Sequence, residues 1–417
     1  MELGRIKDEI RKEISMWVGD KEKLTEDFVR ERARLFFQSR AEVGKYIKLS
    51  DEDKEKIVQS LCSDYLGYGP IQVLFDDPDI TEIMINGPYN IYIEKAGRKQ
   101  EIDIKFENEQ HLRYIVEKMI RPTGRRVDES YPYVDFALPD GSRVNVILPP
   151  LSVGGATVTI RKFLRSIGQV DDLTKLGTID ERMAQFFIAC IKARINILFS
   201  GATGSGKTTT LEVLSSYIED WERIITIEDA LELSLRQKHV VQLLTRPPNI
   251  EGRGEVTPRD LFRNTLRMRP TRIILGEIRG EEAMDYLQAL NSGHRGSLAV
   301  IHASSPSDTI TRLETTALYA SLNLPTWAIR EQIASGIDII VQHEQLADGS
   351  RKITYITEVD TLQENQILLR DLYRYDIEEV ADDFKVKGKF RAYGPPKFLP
   401  LFKNQGVKID PKIFKPD

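Results

Sequence analysis

Eight residues constrain this chain more than any others: Gly201-Ala202-Thr203-Gly204-Ser205-Gly206-Lys207-Thr208, set after the apolar run INILFS and running into the helical pattern TTTLEVLSSYI. A glycine-rich run in that context demands a strand, a tight loop and a helix in that order. Each residue type has a physical task. Glycines let backbone N–H groups curl round a polyphosphate, and the start of a helix adds partial positive charge. Lys207 reaches the β and γ phosphates, Thr208 offers a hydroxyl to Mg²⁺, and Thr209 follows it in the first helical turn. The implied ligand is a nucleoside triphosphate.

The surrounding residues extend the pattern. INILFS, RIITIE, RIILGE, SLAVIH and IDIIV are short apolar runs separated by helical stretches, which is the signature of a mostly parallel sheet covered on both faces. We assign residues 180–380 to this α/β domain. Asp180 is placed as an N-cap for ERMAQFFIACIKA, and the polar, aperiodic SIGQVDDLTKLGTID before it reads as a linker over 164–179. Residues 57–163 read as a smaller α+β domain, with strands around Asn86-Gly87 and at VDFAL, RVNVIL and ATVTIRKF, and a helix over His111 to Ile120. Residues 1–56 are dense in charge, with Ile6, Ile10 and Ile14 at helical spacing, and read as exposed amphipathic helices. The last segment, 381–417, holds nine basic and four acidic residues, five prolines and six aromatics. Its prolines favour an extended path and its aromatics favour docking on the protein.

Hydrolysis needs groups beyond the loop. Glu228 and Asp229 end RIITIED, and Glu277 ends RIILGE. In an open parallel sheet the strand carboxyl ends face the ligand crevice, so these acids are candidates to hold a metal-bound water or to polarise the attacking one. GHRGSLAVIHASSP carries His294 in a glycine-rich loop and His302 at a strand end, where an imidazole can sense the γ-phosphate. Arg259, Arg263 and Arg267 recur every four residues on one helical face. Arg125, Arg126, Arg143 and Arg161 precede the linker, where arginines can reach toward an interdomain nucleotide.

Composition excludes several classes. Cys62 and Cys190 lie far apart in apolar helical patterns, which rules out a disulfide scaffold and a cysteine zinc site and fits a reducing compartment. No run of apolar residues approaches the ~18 of a membrane span, and the charged start is unlike a secretory leader. The expected location is the cytoplasm, with membrane association through partners. The formal charge of -5 supplies no global field for nucleic acid. A nucleic-acid motor and a nucleotide-gated scaffold stand as alternatives to an ATPase.

The ordered set GATGSGKTT, TIEDALEL, RIILGEIRG and GHRGSLAVIHASSP resembles the Walker A, Asp box, Walker B and His box of the type II/type IV secretion ATPase superfamily. GRRVDESYPYVDFALPDGSRVNVILPP and RNTLRMRPTRIILGEIRG most resemble the tight-adherence (Flp-type) pilus assembly ATPases, with the conjugation-type branch as the alternative. The resemblance implies a RecA-like P-loop domain and an N-terminal domain in a homohexameric, Mg²⁺-dependent ATPase. It also implies docking on an inner-membrane platform protein at the cytoplasmic face. By position it gives Lys207 and Thr208 to phosphate and Mg²⁺, Glu277 to the Walker B carboxylate and metal, Glu228 to the Asp-box acid and His302 to the γ-phosphate. Arg143 and Arg161 match arginines that close on the nucleotide. Either Glu277 or Glu228 is the general base.

Overall fold

The computed structural model describes residues 2–17, 24–42, 49–95, 97–163, 168–246, 248, 252–320 and 324–416. The chain divides into two compact units, Met1–Leu164 and Arg165–Asp417.

In the N-terminal unit the helices α1 (Glu2–Trp17), α2 (Glu26–Glu42) and α3 (Asp51–Leu66) come first. Ile6, Ile10 and Ile14 form one stripe of α1, and they are buried with Val29, Ala33 and Phe36 of α2 and Ile57 and Leu61 of α3. The charge-rich region read as exposed helices is thus a small helical core, because three stripes close on one another. A boundary at residue 56 would cut α3, whose N-cap Ser50 accepts from the Asp53 N–H. Next come α4 (Gln72–Asp76), β1 (Ile80–Asn86), β2 (Ile91–Lys95), β3 (Arg98–Ile102), α5 (Glu109–Ile120), β4 (Tyr133–Ala137), β5 (Arg143–Ile147) and β6 (Thr157–Arg161). The strands form an antiparallel sheet in the order β3-β2-β1-β6-β5-β4. Its alternating inner face packs on α5 through Ile83, Ile85, Val144, Val158, Leu112 and Ile115. An ion network joins the helical core to this domain: Arg11 reaches Asp64 at 2.6 Å and Glu107 at 2.8 Å. His111 lies 3.0 Å from the same buried Asp64.

The C-terminal unit opens with α6 (Val170–Lys175) and α7 (Glu181–Lys192). Of the segment read as linker, residues 164–167 lie outside the described residues. The rest is structured: α6 has a capping box between Gln169 and Asp172, and Val170, Leu173 and Ile179 join the main core. The apolar residues there are too few to announce a helix by periodicity. The chain then runs β7 (Ile197–Gly201), α8 (Lys207–Ser215), β8 (Ile224–Glu228), β9 (Val240–Leu244), α9 (Pro258–Thr265), β10 (Arg272–Leu275), α10 (Glu282–Asn291), β11 (Leu298–Ile301), α11 (Pro306–Leu318), α12 (Thr326–Gly336) and β12 (Ile339–Gln345). An antiparallel extension follows: β13 (Arg351–Gln363), β14 (Gln366–Val380) and β15 (Val386–Ala392), then α13 (Leu399–Asn404). The nine-stranded order is β15-β14-β13-β12-β7-β11-β10-β8-β9. From β12 to β9 every pairing is parallel. The phosphate-loop strand β7 therefore sits between β11 and β12 rather than beside its sequence successor, which is the RecA-like arrangement.

The N-terminal ends of these strands are pinned by buried polar groups. Asn196 accepts from the N–H groups of Gly296 and Ser297 and donates to Gly336 O. Arg272 makes a bidentate pair with Glu222 at 2.8 and 2.9 Å and also donates to the Ile191 and Gly296 carbonyls.

Residues 381–417, read as a tail outside the ATPase domain, contribute to its core through Ala392, Phe402, Ile413 and Phe414, while Phe384 and Tyr393 stay exposed. β15 pairs with β14. Phe186 of α7 meets Phe398, Phe402 and Phe414 with ring centroids 6.5, 6.3 and 5.5 Å away, and Tyr373 Oη donates to Ile413 O at 3.0 Å. Adjacent Phe186 and Phe187 give α7 apolar surface on more than one side, and the tail supplies the second layer. Its aromatics are irregularly spaced because different elements deliver them: Phe390 comes from β15, Phe398 and Phe402 from the start and body of α13, and Phe414 from the turn Pro411–Phe414. Removing that layer has a definite cost: Phe402→Ala is expected to destabilise this unit by about 3–5 kcal/mol, read as a lower midpoint in urea unfolding. A loss below about 1 kcal/mol would refute an integral tail.

Candidate nucleotide site

The loop between β7 and α8 turns on glycine geometry. Gly201 has φ 145°, and a Cβ there would lie 2.3 Å from the carbonyl oxygen of His343 on the neighbouring β12, so no other residue fits without moving that strand. Three donors then converge on one oxygen. Ala202 O accepts from Lys207 Nζ at 2.7 Å, from Ser205 Oγ at 2.8 Å and from Ser205 N at 3.3 Å. Lys207 Nζ also donates to Gly201 O at 2.9 Å. These donors are those that a phosphate oxygen would take up, and the trade exchanges neutral acceptors for anionic ones. Thr208 and Thr209 lie in the first turn of α8, both half-buried.

The candidate acids and the histidine arrive from the carboxyl ends of the adjacent strands. His302, directly after β11, has Nδ1 3.4 Å from Lys207 Nζ and Nε2 3.3 Å from Glu277 Oε1. A lysine ammonium only donates. Nδ1 is therefore the acceptor, and Nε2 carries the proton given to Glu277. Glu277 Oε2 accepts from Arg279 at 2.6 Å, and Arg279 reaches Asp229 at 3.4 Å. Burial pushes the Glu277 carboxyl up, but the hydrogen bonds from His302 and Arg279 outweigh it and hold the group down to about 2.

Glu228 is placed differently. It is buried, and its Oε2 accepts from the N–H groups of Glu232 at 2.8 Å and Leu233 at 2.9 Å, while Oε1 accepts from Thr226. Burial raises its carboxyl, with the two backbone donors opposing. The close approach of Gly276, where a Cβ would lie 3.0 Å from Glu228 Cγ, sets the acid against the end of β10. Glu228 therefore shapes the loop that presents Asp229, while Glu277 faces Lys207 through His302.

Other sequence candidates are dispersed. His294 lies at the opposite end of β11, where its Nδ1 is 3.3 Å from Ala289 O. Two members of the arginine stripe are taken up at α10, Arg259 by Asp285 and Glu281 and Arg263 by Asp285, while Arg267 lies past the end of α9 and donates to Arg263 O at 2.9 Å. Arg143 and Arg161 stand side by side at one register of the N-terminal sheet, on its outer face with Glu82. Arg279 escaped the sequence reading although it stands two residues after Glu277. His343 and Arg351 escaped it because they come from strands more than 130 residues after the loop, and no local motif links them to it.

These residues fall within a recognised family. The model for "Type II/IV secretion system protein" matches residues 65–369. The chain belongs to this family. A putative conjugal transfer protein of Mycobacterium tuberculosis is 32% identical over 314 residues, covering 74% of this chain and 89% of that protein. The type IV secretion system protein VirB11 of Brucella suis is 31% identical over 318 residues, covering 70% and 88%. Among solved structures, the Brucella suis VirB11 ATPase in complex with sulphate is 29% identical, covers 69% of this chain and 95% of that chain, and has a TM-score of 0.39. The pilus retraction motor PilT with bound ADP is 21% identical over 70% of this chain and 82% of that chain, with a TM-score of 0.49. No helix among the described residues is long and apolar enough to cross a membrane.

One buried group gives this secretion-family ATPase domain a pH signature. His343 is fully buried beside β7, and neither ring nitrogen has a partner among the described residues. Burial first, and then the Lys207 charge, push its imidazole down to about 3. The unfolded chain takes up a proton near pH 6.5 that the folded one refuses until about pH 3, so stability falls as pH drops from 6.5. By pH 4.5 the loss is about 2–3 kcal/mol. His343→Leu should therefore lose that much less stability than the parent between pH 7 and 4.5 in urea unfolding, and equal slopes would count against it.

Proposed function

We propose that this chain hydrolyses ATP with Mg²⁺ and uses the cycle to drive a secretion or pilus-assembly machine. The observation that carries the reading is the chain Lys207–His302–Glu277–Arg279 across three strand ends beside the loop. Family membership and the relatives named above support it. The hydroxyl of Thr208 and the carboxylate of Glu277 are hard oxygen donors, which suit a metal that keeps several waters and leans on nucleotide phosphates. Mg²⁺ there would neutralise charge on the β and γ phosphates. Phosphoryl transfer asks the protein mainly for position and charge. Glu277, ionised at every working pH, would help hold the metal and orient water rather than store a proton. His302 links Lys207 to that carboxylate, so a change at the γ-phosphate is felt at both. Glu228 acts by fixing the loop of Asp229.

The finer reading is a homohexamer of the tight-adherence pilus assembly type, cytoplasmic and peripheral at the inner membrane through a platform protein. Arg143 and Arg161 would close on the nucleotide, without direct nucleic-acid binding. GRRVDESYPYVDFALPDGSRVNVILPP, one of the runs that carry this resemblance, supplies Arg143, and the separate strand ATVTIRKF supplies Arg161. The similarity to a putative conjugal transfer protein over 74% of the chain favours the conjugation-type branch as second reading. Stimulation of turnover by single-stranded DNA would select a nucleic-acid motor instead.

Lys207→Ala is expected to abolish phosphate release and weaken ATP binding, since the charge that meets the phosphates is gone; turnover at the parent's rate would overturn the reading. Glu277→Gln should keep ATP binding and slow hydrolysis by about 10²-fold or more. In the hexamer reading, turnover per subunit rises with protein concentration, and a monomer in sedimentation with concentration-independent activity excludes it.

A further inference from the structure

A side chain distant in sequence holds the phosphate loop. Arg351 is the first residue of β13, paired in register with Gln345 of β12. The hairpin between them is well anchored: Leu346 N donates to Ser350 O at 2.8 Å, and Gly349 N donates to Leu346 O at 2.9 Å. Asp348 Oδ1 accepts from Ser350 N at 2.9 Å, and its Oδ2 accepts from Val386 N of β15 at 3.3 Å. From this base Arg351 Nε donates to Gly204 O at 2.7 Å, and its Cδ lies 3.6 Å from where a Cβ on Gly206 would be. The guanidinium therefore lies along the outside of the loop apex.

The consequence follows from peptide geometry. Gly204 O and Ser205 N–H belong to one planar trans peptide and point in opposite directions. Holding the carbonyl outward turns the N–H inward, and Ser205 N–H indeed points at Ala202 O, the oxygen on which Lys207 and Ser205 Oγ also converge. A glycine at 204 with φ 78° can flip this peptide at little cost. A fixed donor outside the loop removes that freedom. We propose that Arg351 is a positioning residue of the nucleotide site, holding the Gly204–Ser205 peptide so that its N–H is directed at the bound phosphate. The same hairpin ties the loop to β15 through Asp348, so the C-terminal strand takes part in shaping the site.

This inference rests on the reading that the site binds nucleotide, and the experiment separates the two. ADP with Mg²⁺ is titrated by calorimetry into the full chain, into Lys207→Ala and into Arg351→Ala, and melting temperatures are taken with and without ADP. Arg351→Ala should bind ADP about tenfold more weakly, the size of one lost charge-assisted hydrogen bond. Its nucleotide-induced rise in melting temperature should shrink while its melting temperature without ADP stays close to the parent's. Arg351→Gln, which keeps N–H donors without the charge, should recover most of the affinity. A parent that fails to bind ADP sinks the nucleotide reading itself. If the parent binds, three results overturn the role of Arg351 alone: unchanged affinity in Arg351→Ala, a loss of affinity matched by an equal loss of melting temperature without ADP, or no recovery in Arg351→Gln.

Discussion

Parallel strands end together, and the chemistry of this molecule depends on that. β7 is buried along its whole length between β11 and β12, so the chain leaving it must turn out between two strand ends. Gly201 makes the turn by passing within contact of the His343 backbone. The loop, His302 after β11 and Glu277 after β10 then share one edge of the sheet without any sequence proximity. This is the switch point at which open α/β sheets bind ligands.

Electrostatics at that edge are built as an alternating series: ammonium, neutral imidazole, carboxylate, guanidinium, carboxylate. Hydrogen bonds link the first four members, and Arg279 faces Asp229 as an ion pair at 3.4 Å. The arrangement holds Glu277 ionised, at about 2, although it is half-buried. Glu228 solves burial differently, by capping a turn with two backbone N–H groups. One acid is thereby available to exchange partners and the other is committed to loop shape.

Much of this was legible in sequence, for physical reasons that also mark the limits. The strand, loop and helix around Lys207 announce themselves because three signals of different period adjoin within a few residues. Glu228, Glu277 and His302 were legible as residues that follow apolar runs, since parallel strands place such residues at one edge. The antiparallel strands β13 to β15 carry mixed apolar and charged residues, which hides the pleat, and Arg351 was hidden with them. α6 was too short for periodicity, and the aromatic layer shows no extended period because Phe398 and Phe402 come from the short α13 while Phe414 comes from a separate turn after it. The stripe of Arg259 and Arg263 looked available in one dimension and is neutralised by Asp285 in three.

The two ends of the parallel sheet are held by different kinds of bond. At the amino ends Asn196, the Arg272–Glu222 pair and the Arg295–Asp338 pair are buried or partly so, and their hydrogen bonds join the starts of β7, β8, β10, β11 and β12 to one another. Breaking one would strand a charge or an amide in the core, at a cost of several kcal/mol. At the carboxyl ends Lys207 donates to loop carbonyls, and His302, Glu277 and Arg279 are partly exposed. Those contacts can be exchanged for phosphate and water at little net cost. A ligand that took up these donors would act at the edge that carries the loop, and the hairpin bearing Arg351 touches this edge directly. Asp348 joins that hairpin to β15 through the Val386 N–H, away from the pinned end.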